Sequence, residues 1–257
     1  MSARSNGNQP PPGDLVGTPG QWALVLDFDG TLVELAASPD AIRVPAGLPR
    51  LLKGLFAHFG GAVAILTGRA LGDLDEYLPG LSLPAAGQHG SERRLHPGQR
   101  AFVADVPALE RVRREIAGFQ VAHPALQVED KGASIALHYR AAPAMREAVL
   151  TLADRLTEAA GGALEQIEGK CVCELRPTGS NKGGALAAFL AEAPFAERRP
   201  LAIGDDLTDE AAFAVALEAK GDAIKVGTGE TRASWRLGDP REVRAWLAQI
   251  LDARRLG

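Results

Sequence analysis

The chain has 257 residues, of which 46% are hydrophobic and 23% charged, with a formal net charge of -4. These values are ordinary for a soluble globular protein with a large core in one or two domains, and the acidic balance argues against a nucleic-acid-binding protein. No run approaches the roughly 20 apolar residues that a membrane span needs. Residues 1–20 contain no apolar run, so we do not expect them to act as a signal peptide.

Proline and glycine are frequent in residues 1–20, which predicts a flexible tail. From Trp22 onward, apolar runs alternate with helical patterns, which indicates a parallel sheet covered by helices. The predicted strands cover residues 22–28, 62–68, 83–88, 200–206 and 222–227. The predicted helices cover residues 45–59, 71–78, 182–190, 209–219 and 241–251.

The pattern changes after about residue 98, where apolar and polar residues alternate within the strands. Helices are predicted at 106–119 and 144–159, and strands at 126–131, 134–140, 163–168 and 171–177. This order predicts an antiparallel sheet with helices on one face and a polar opposite face. We therefore predict an α/β fold: a Rossmann-like core with a parallel sheet, made of residues 21–98 and 177–257, and an inserted α+β domain at 99–176.

The cysteines, Cys171 and Cys173, are too few for a disulfide framework or a four-ligand zinc site. We interpret them as strand residues in a reducing compartment. We expect a cytoplasmic monomer with no nucleic-acid or membrane partner.

Four polar segments follow predicted strands or begin predicted helices, where parallel-sheet enzymes keep their sites. Each has an ordinary explanation when taken alone, such as a loop-capping acid pair, a helix start or a solvated lysine. Their occurrence together in this order favours a catalytic site. The segments are Asp27-Phe28-Asp29-Gly30-Thr31, Thr67-Gly68-Arg69, Lys182, and Gly204-Asp205-Asp206-Leu207-Thr208-Asp209-Glu210.

This set of residues suits transfer of a phosphoryl group. Asp27 is the expected nucleophile, which forms an acyl phosphate, and Asp29 the expected acid and base. Thr67 and Lys182 are expected to bind the phosphoryl oxygens, together with backbone N–H groups near Gly30. Several acids next to a phosphate require a hard cation such as Mg²⁺, and Asp205 supplies a further acid.

The four segments resemble the motifs of the haloacid dehalogenase superfamily of phosphotransferases. The resemblance implies the same roles for Asp27, Asp29, Thr67 and Lys182, with Asp205 as a magnesium ligand. It also implies that Asp29 offers its backbone carbonyl to the metal and that Asp206 or Asp209 supports the site. The expected metal ligands are therefore Asp27, Asp29, Asp205 and Asp206.

A narrower resemblance is to the trehalose-6-phosphate phosphatase family, through LDFDGTL, ILTGR, QHGSERR, VEDKGASIALHYR, CELRPTGSNKGGAL and GDDLTDEAAF. It implies a lid, or cap, formed by the insertion, and hydrolysis of trehalose 6-phosphate with Mg²⁺. The residues expected to bind the substrate are Gly30, Arg69, His89, Glu129, Lys131, His138 and Glu174. Without the resemblance, we would interpret Glu129 and Lys131 as an exposed cross-strand ion pair.

Three alternatives stay open at this point. One is a phosphatase for another sugar phosphate, such as sucrose phosphate or mannosylglycerate phosphate, since fold does not fix the substrate. Another is a non-catalytic sensor of a sugar phosphate, and a third is a switch that stores an aspartyl phosphate. Asp27 and Asp29 argue against the last two, because a sensor needs no nucleophile and an acid/base hastens loss of the phosphoryl group.

Overall fold

The computed structural model describes residues 9–12, 15, 17–36, 41–96, 99, 101–102, 107–169 and 171–252. The chain divides into two compact units, residues 1–100 with 181–257 and residues 101–180. Of the predicted tail, residues 1–8, 13, 14 and 16 lie outside the described residues. The carbonyl of Gln9 accepts a 2.8 Å hydrogen bond from the backbone N–H of Arg236, and Leu15 packs against the core of the first unit.

The predicted strands and helices occur in the predicted order, together with three short strands that were not predicted from the sequence. In chain order the strands are β1 (Trp22–Asp27), β2 (Val63–Leu66), β3 (Ala85–Gly87), β4 (Glu92–Arg94), β5 (Ala101–Phe102), β6 (Gln127–Asp130), β7 (Ile135–His138), β8 (Leu164–Gly169), β9 (Val172–Pro177), β10 (Arg199–Gly204), β11 (Asp222–Val226) and β12 (Trp235–Leu237). The helices are α1 (Leu48–His58), α2 (Leu71–Tyr77), α3 (Pro107–Ala122), α4 (Arg146–Ala159), α5 (Lys182–Leu190), α6 (Asp209–Glu218) and α7 (Pro240–Asp252).

The sheet of the first unit has the order β12-β11-β10-β1-β2-β3-β4. Its strands are parallel except for the antiparallel pair β3 and β4. All residues of β1 and β2 are buried, because helices cover both faces of this sheet. Leu24 and Leu26 pack into a cluster with residues of α1, α2 and α7, whereas Ala23 and Val25 pack into a second cluster with residues of α5 and α6.

The second unit contains an antiparallel sheet in the order β6-β7-β9-β8. Its apolar face packs against α3 and α4 through residues such as Leu137, Leu175 and Val149. The tight link between β6 and β7 has Gly132 at φ +81°, and Lys131 N–H donates to the carbonyl of Ser134 at 3.0 Å. The predicted fold class, a parallel α/β core with a separate antiparallel α+β sheet, is confirmed.

Among the described residues, no helix combines the length and apolar character needed to span a bilayer. Both cysteines are free thiols. Cys173 is buried in the core of the second unit, and burial raises the pKa of its thiol to about 11, so the thiol behaves as a small apolar group.

Candidate active site

The carboxyl ends of three neighbouring strands lie at one edge of the parallel sheet. β1 lies between β2 and β10, with Asp27 opposite Leu66 and Leu26 opposite Ile203. Because these strands are parallel and end almost level, the polar residues that follow β2 and β10 lie beside Asp27. This is the edge at which the sequence predicts the site.

Lys182, the first residue of α5, is buried between two carboxylates. Its Nζ donates hydrogen bonds to Oδ1 of Asp27 and to Oδ1 of Asp209, each at 2.7 Å. The side chains of Lys182 and Asp209 are 3% exposed and that of Asp27 is 5% exposed. The side chain of Asn181 accepts a hydrogen bond from the N–H of Gly184. This N-terminal helix cap fixes where α5 begins, and so fixes the backbone position of Lys182.

The charges of this cluster do not balance. Burial is the main cause that raises the pKa of Asp27 from 3.8 to about 7, and the Lys182 ammonium opposes the rise. Burial, and next the charge of Asp27, raises the pKa of Asp209 to about 7. Burial alone would lower the pKa of Lys182, but the two carboxylates outweigh it and the pKa of the ammonium is raised. One ammonium therefore faces more negative charge than it can neutralise.

We expect the metal-free protein to lose stability as the pH rises from about 4 to about 7. Raised pKa values mean that folded Asp27 and Asp209 hold protons that the unfolded chain has already released above pH 3.8. The free energy of unfolding therefore falls across this interval. Carboxylates whose pKa is lowered, such as those of Asp130 and Asp206, titrate below it.

Urea unfolding in EDTA at a series of pH values measures this slope. The double variant Asp27→Asn, Asp209→Asn should flatten it. Wild-type stability that rises between pH 5 and pH 7 would contradict the prediction.

An acidic set beside Asp27 fits a hard divalent cation. Asp27, Asp205 and Asp209 each offer one oxygen, and these oxygens lie within 4.8 Å of one another. Oδ2 of Asp27 is buried and accepts no N–H or O–H hydrogen bond from the described residues. Burial also raises the pKa of Asp205. A buried oxygen without a donor, within a set made only of carboxylates, suits Mg²⁺ better than a softer metal.

Gly30 provides the space that the Asp205 carboxylate occupies. A Cβ atom on Gly30 would lie 2.2 Å from Oδ2 and 2.4 Å from Cγ of Asp205. The backbone of Gly30 is also left-handed, with φ +77°. Both the conformation and the close approach therefore require glycine at this position.

Asp206 and Asp209 differ in what they contact. Oδ1 of Asp206 accepts hydrogen bonds from the N–H and Oγ1 of Thr208 at 2.8 and 2.7 Å, so this carboxylate closes the turn before α6. Oδ2 of Asp209 accepts from the N–H groups of Asp205 and Asp206 at 3.0 and 3.1 Å, while its Oδ1 contacts Lys182. Of the four predicted metal ligands, the acidic set contains Asp27 and Asp205, and its third member is Asp209.

The carboxylate of Asp29 is held by Arg69. Arg69 Nε donates to Oδ2 and its Nη2 donates to Oδ1, both at 2.7 Å. The guanidinium also lies 4.8 Å from the ring centre of Tyr77. Such a two-point pair fixes the orientation of a carboxylate as well as its charge. Arg69, predicted to bind substrate, thus contacts the predicted acid/base in this structure.

Thr67 and His89 are neighbours through backbone contacts. The N–H of His89 donates to the carbonyl of Thr67 at 3.0 Å, and Thr67 Oγ1 accepts from the N–H of Arg69 at 3.2 Å. His89 has φ +56°, which is strained for a residue with a side chain. A Cβ on Gly68 would lie 2.8 Å from Cε1 of His89. The segment that follows β2 and the segment that follows β3 are therefore in close contact.

Glu92, which was not identified from the sequence, forms hydrogen bonds through its carboxylate with both the segment after β2 and the segment after β3. Its Oε2 accepts from the N–H of Leu71 at 2.7 Å, at the start of α2, and its Oε1 accepts from Nε2 of Gln88 at 3.0 Å. Glu92 is only 8% exposed. A buried acid in a polar three-residue strand leaves no periodic signal in the sequence.

The polar face of the second unit collects the residues expected to bind the sugar. Glu129 is opposite Ala136, and Ala136 is opposite Glu174, so the two glutamates occupy one row. This row and the side chains beside it form hydrogen bonds and ion pairs. Ser134 Oγ donates to Glu174 Oε1 at 2.6 Å, Lys131 Nζ lies 3.7 Å from Glu174 Oε2, and His138 Nε2 lies 2.9 Å from Glu129 Oε2.

Comparison with known proteins gives consistent matches. The family model for trehalose-phosphatase matches residues 25–241. A trehalose-6-phosphate phosphatase of Escherichia coli is 41% identical over 235 residues, which cover 91% of this chain and 88% of that protein. A crystal structure of a trehalose-6-phosphate phosphatase related protein has a TM-score of 0.69 at 28% identity, over 91% of this chain and 99% of that one. A haloacid dehalogenase-like hydrolase from B. subtilis, at 15% identity and a TM-score of 0.62, covers 89% of this chain and 99% of that one, and shares the fold.

Proposed function

This chain belongs to the trehalose-phosphatase family, and from that membership we propose that it hydrolyses trehalose 6-phosphate to trehalose and phosphate. It is thus a phosphoric monoester hydrolase. The observation that carries the proposal is the buried pair of Lys182 and Asp27 beside two further acids. It presents a carboxylate nucleophile next to a fixed positive charge, as phosphoryl transfer requires.

Asp27 acts as the nucleophile in the first step. A carboxylate oxygen of Asp27 forms a bond to phosphorus, and the bond from phosphorus to the sugar oxygen breaks. Asp29 gives a proton to that oxygen as trehalose leaves. Lys182, hydrogen-bonded to Asp27 Oδ1, balances the charge that gathers on the phosphoryl oxygens.

Water then releases the phosphate. Asp29, now ionised, takes a proton from the attacking water, and the bond between phosphorus and Asp27 breaks, which restores both carboxyl groups to their starting state. Since both oxygens of Asp29 accept from Arg69, Asp29 has to leave the guanidinium and take up a proton before it can donate that proton to the sugar oxygen. Thr67 supplies a hydroxyl donor to the phosphoryl group.

Asp27, Asp205 and Asp209 would hold Mg²⁺, with the backbone carbonyl of Asp29 as a further ligand. When bound, Mg²⁺ supplies positive charge that offsets the repulsion between these carboxylates and an incoming phosphate. The oxygen-only ligand set and the donor-free Oδ2 of Asp27 support this proposal. Asp206 contributes by holding the turn that carries Asp205 and Asp209.

The disaccharide is recognised by the polar face of the second unit, which acts as a cap. Glu129, Lys131, His138 and Glu174 offer carboxylates, an ammonium and an imidazole, which match the many donors and acceptors of a sugar. Gly30, Arg69 and His89 bind the phosphate end of the substrate. The cytoplasmic location and the monomeric state stay predictions from the sequence.

Phosphate release from a panel of sugar phosphates, with Mg²⁺ and with EDTA, tests the function. We expect release from trehalose 6-phosphate that EDTA abolishes. Release from sucrose phosphate or mannosylglycerate phosphate instead would support phosphatase activity but contradict trehalose 6-phosphate as the substrate. Tight binding without release from any compound would indicate a sensor, and an acyl phosphate that persists on the wild-type protein would indicate a switch.

Substitution of Glu129 or Glu174 by alanine should raise KM for trehalose 6-phosphate by about 10-fold or more, because each removes charged hydrogen bonds to the sugar. The KM for p-nitrophenyl phosphate, which has no sugar, should change by less than about 2-fold. Glu115→Ala is the matched control, since Glu115 pairs with Arg155 on the helical side of the same unit. Equal losses on both substrates would contradict the assignment of the cap face.

A further inference from the structure

Lys225, in β11, is a buried lysine that the mechanism above does not use. The residue is only 5% exposed. In the sheet it lies opposite Gly204, the last residue of β10, on one side and opposite Arg236 of β12 on the other. The Lys225 ammonium donates hydrogen bonds to the backbone carbonyl of Asp205 and to the carbonyl of Val226, the latter at 2.9 Å. A buried ammonium is costly unless such acceptors compensate it.

The peptide groups on both sides of the Asp205 Cα are thereby held by charged side chains. The N–H of Asp205 donates to Oδ2 of Asp209 at 3.0 Å, and its carbonyl accepts from Lys225. The carboxylate of the same residue lies against Gly30, where a Cβ atom would lie 2.2 Å from its Oδ2. The N–H and the carbonyl of Asp205 are therefore both held by hydrogen bonds, and its carboxylate lies in the space that a side chain at position 30 would fill.

We propose that Lys225 is a positioning residue for the divalent metal: by holding the Asp205 carbonyl, it sets the Asp205 carboxylate in place to bind the ion. This inference rests on the proposed function and on the metal site that it includes. Replacement of a residue that forms a hydrogen bond with a metal ligand commonly lowers the affinity for the metal by about 10- to 100-fold.

A purely electrostatic role for Lys225 has the opposite expected effect. An ammonium bound to the backbone of the metal ligand Asp205 repels a divalent cation, so its removal would then strengthen Mg²⁺ binding. A role in stability alone would lower the Tm and leave the affinity of the folded protein for Mg²⁺ unchanged. The sign of the change in Kd therefore distinguishes the three roles.

Calorimetric titration of the metal-free, full-length protein with Mg²⁺ measures this Kd without any turnover. We expect Lys225→Met to raise the Kd for Mg²⁺ by about 10-fold or more. Lys225→Arg keeps the charge but moves the donors, and we expect it to raise the Kd as well, by several-fold. Lys53→Met removes the same charge from an exposed position on α1 and should leave the Kd unchanged.

Tighter or unchanged Mg²⁺ binding by folded Lys225→Met would overturn the inference. If Lys225→Met does not fold, Lys225→Arg decides: weaker binding supports the positioning role, and wild-type affinity rejects it. Wild-type protein that hydrolyses trehalose 6-phosphate yet binds no Mg²⁺ would reject the role of Lys225 while the hydrolase assignment stands.

Discussion

Asp27→Asn should abolish hydrolysis of trehalose 6-phosphate, with a loss in kcat of roughly 10⁴-fold or more, the scale seen when a covalent nucleophile is removed. The amide cannot form the acyl phosphate, although its carbonyl oxygen can still accept the hydrogen bond that Lys182 Nζ donates to Asp27 Oδ1. Phosphate release at high enzyme concentration, with Mg²⁺ present, measures the residual rate.

The same variant should remain folded, so that the lost activity reports chemistry. Burial raises the pKa of Asp27 because the charged form is poorly solvated there. A neutral amide avoids the cost of burying that charge, so we expect a Tm no lower than that of the wild type. Asp154→Asn, on the exposed surface of α4, is the control for an aspartate that takes no part. Residual activity above about one hundredth of the wild-type rate would indicate that the nucleophile is elsewhere.

Gly30→Ala should remove Mg²⁺ binding and activity with only a modest loss of stability. The new methyl group would overlap the Asp205 carboxylate, and that side chain can turn away from it, which takes a ligand out of the metal site. The left-handed backbone adds a cost of about 1–2 kcal/mol for any residue with a Cβ.

Gly80→Ala is a closely matched control for that backbone cost. Gly80 has φ +74°, against +77° for Gly30, and a Cβ there would meet no atom within 4 Å. Both variants should lower the free energy of unfolding in EDTA by similar amounts, but only Gly30→Ala should weaken Mg²⁺ binding, by about 10²-fold or more. Equal Mg²⁺ affinities in the two variants would mean that Asp205 does not need the space at Gly30.

Most of the fold is predictable because the buried elements have strong patterns. The apolar runs of β1 and β2 predict strands buried on both faces, and the alternating residues of β6 and β7 predict a sheet with one polar face. β4, β5 and β12 escape prediction because each has only two or three residues, and β4 and β12 also include charged side chains. These short strands form because neighbouring strands pair with them. The local sequence pattern contains no information about that pairing.

The positions of the site residues at strand ends and helix starts were predictable from the predicted secondary structure. Which of these residues form hydrogen bonds with one another was not predictable. Asp27 and Lys182 stand where a strand ends and a helix begins, so their place follows from the secondary structure. Which of Asp206 and Asp209 faces the lysine depends on how one turn closes, with Thr208 bound to Asp206. The pairing of Arg69 with Asp29 joins residues 40 positions apart, and Lys225 resembles any polar residue in a strand.

The central position of β1 has a consequence for how the protein is made. β1 needs β2 on one side and β10 on the other, but the whole second unit, residues 101–180, is synthesised between these two partners. One edge of a strand that is fully buried in the folded protein therefore stays unpaired while the second unit, which has a core of its own, is synthesised. Asp27 is synthesised before its partners Lys182, Asp205 and Asp209, so the active site is incomplete until the last segment of the core has been made. We therefore expect a nascent chain that stalls before residue 199 to aggregate more readily than one that includes β10, because the edge of β1 has no partner.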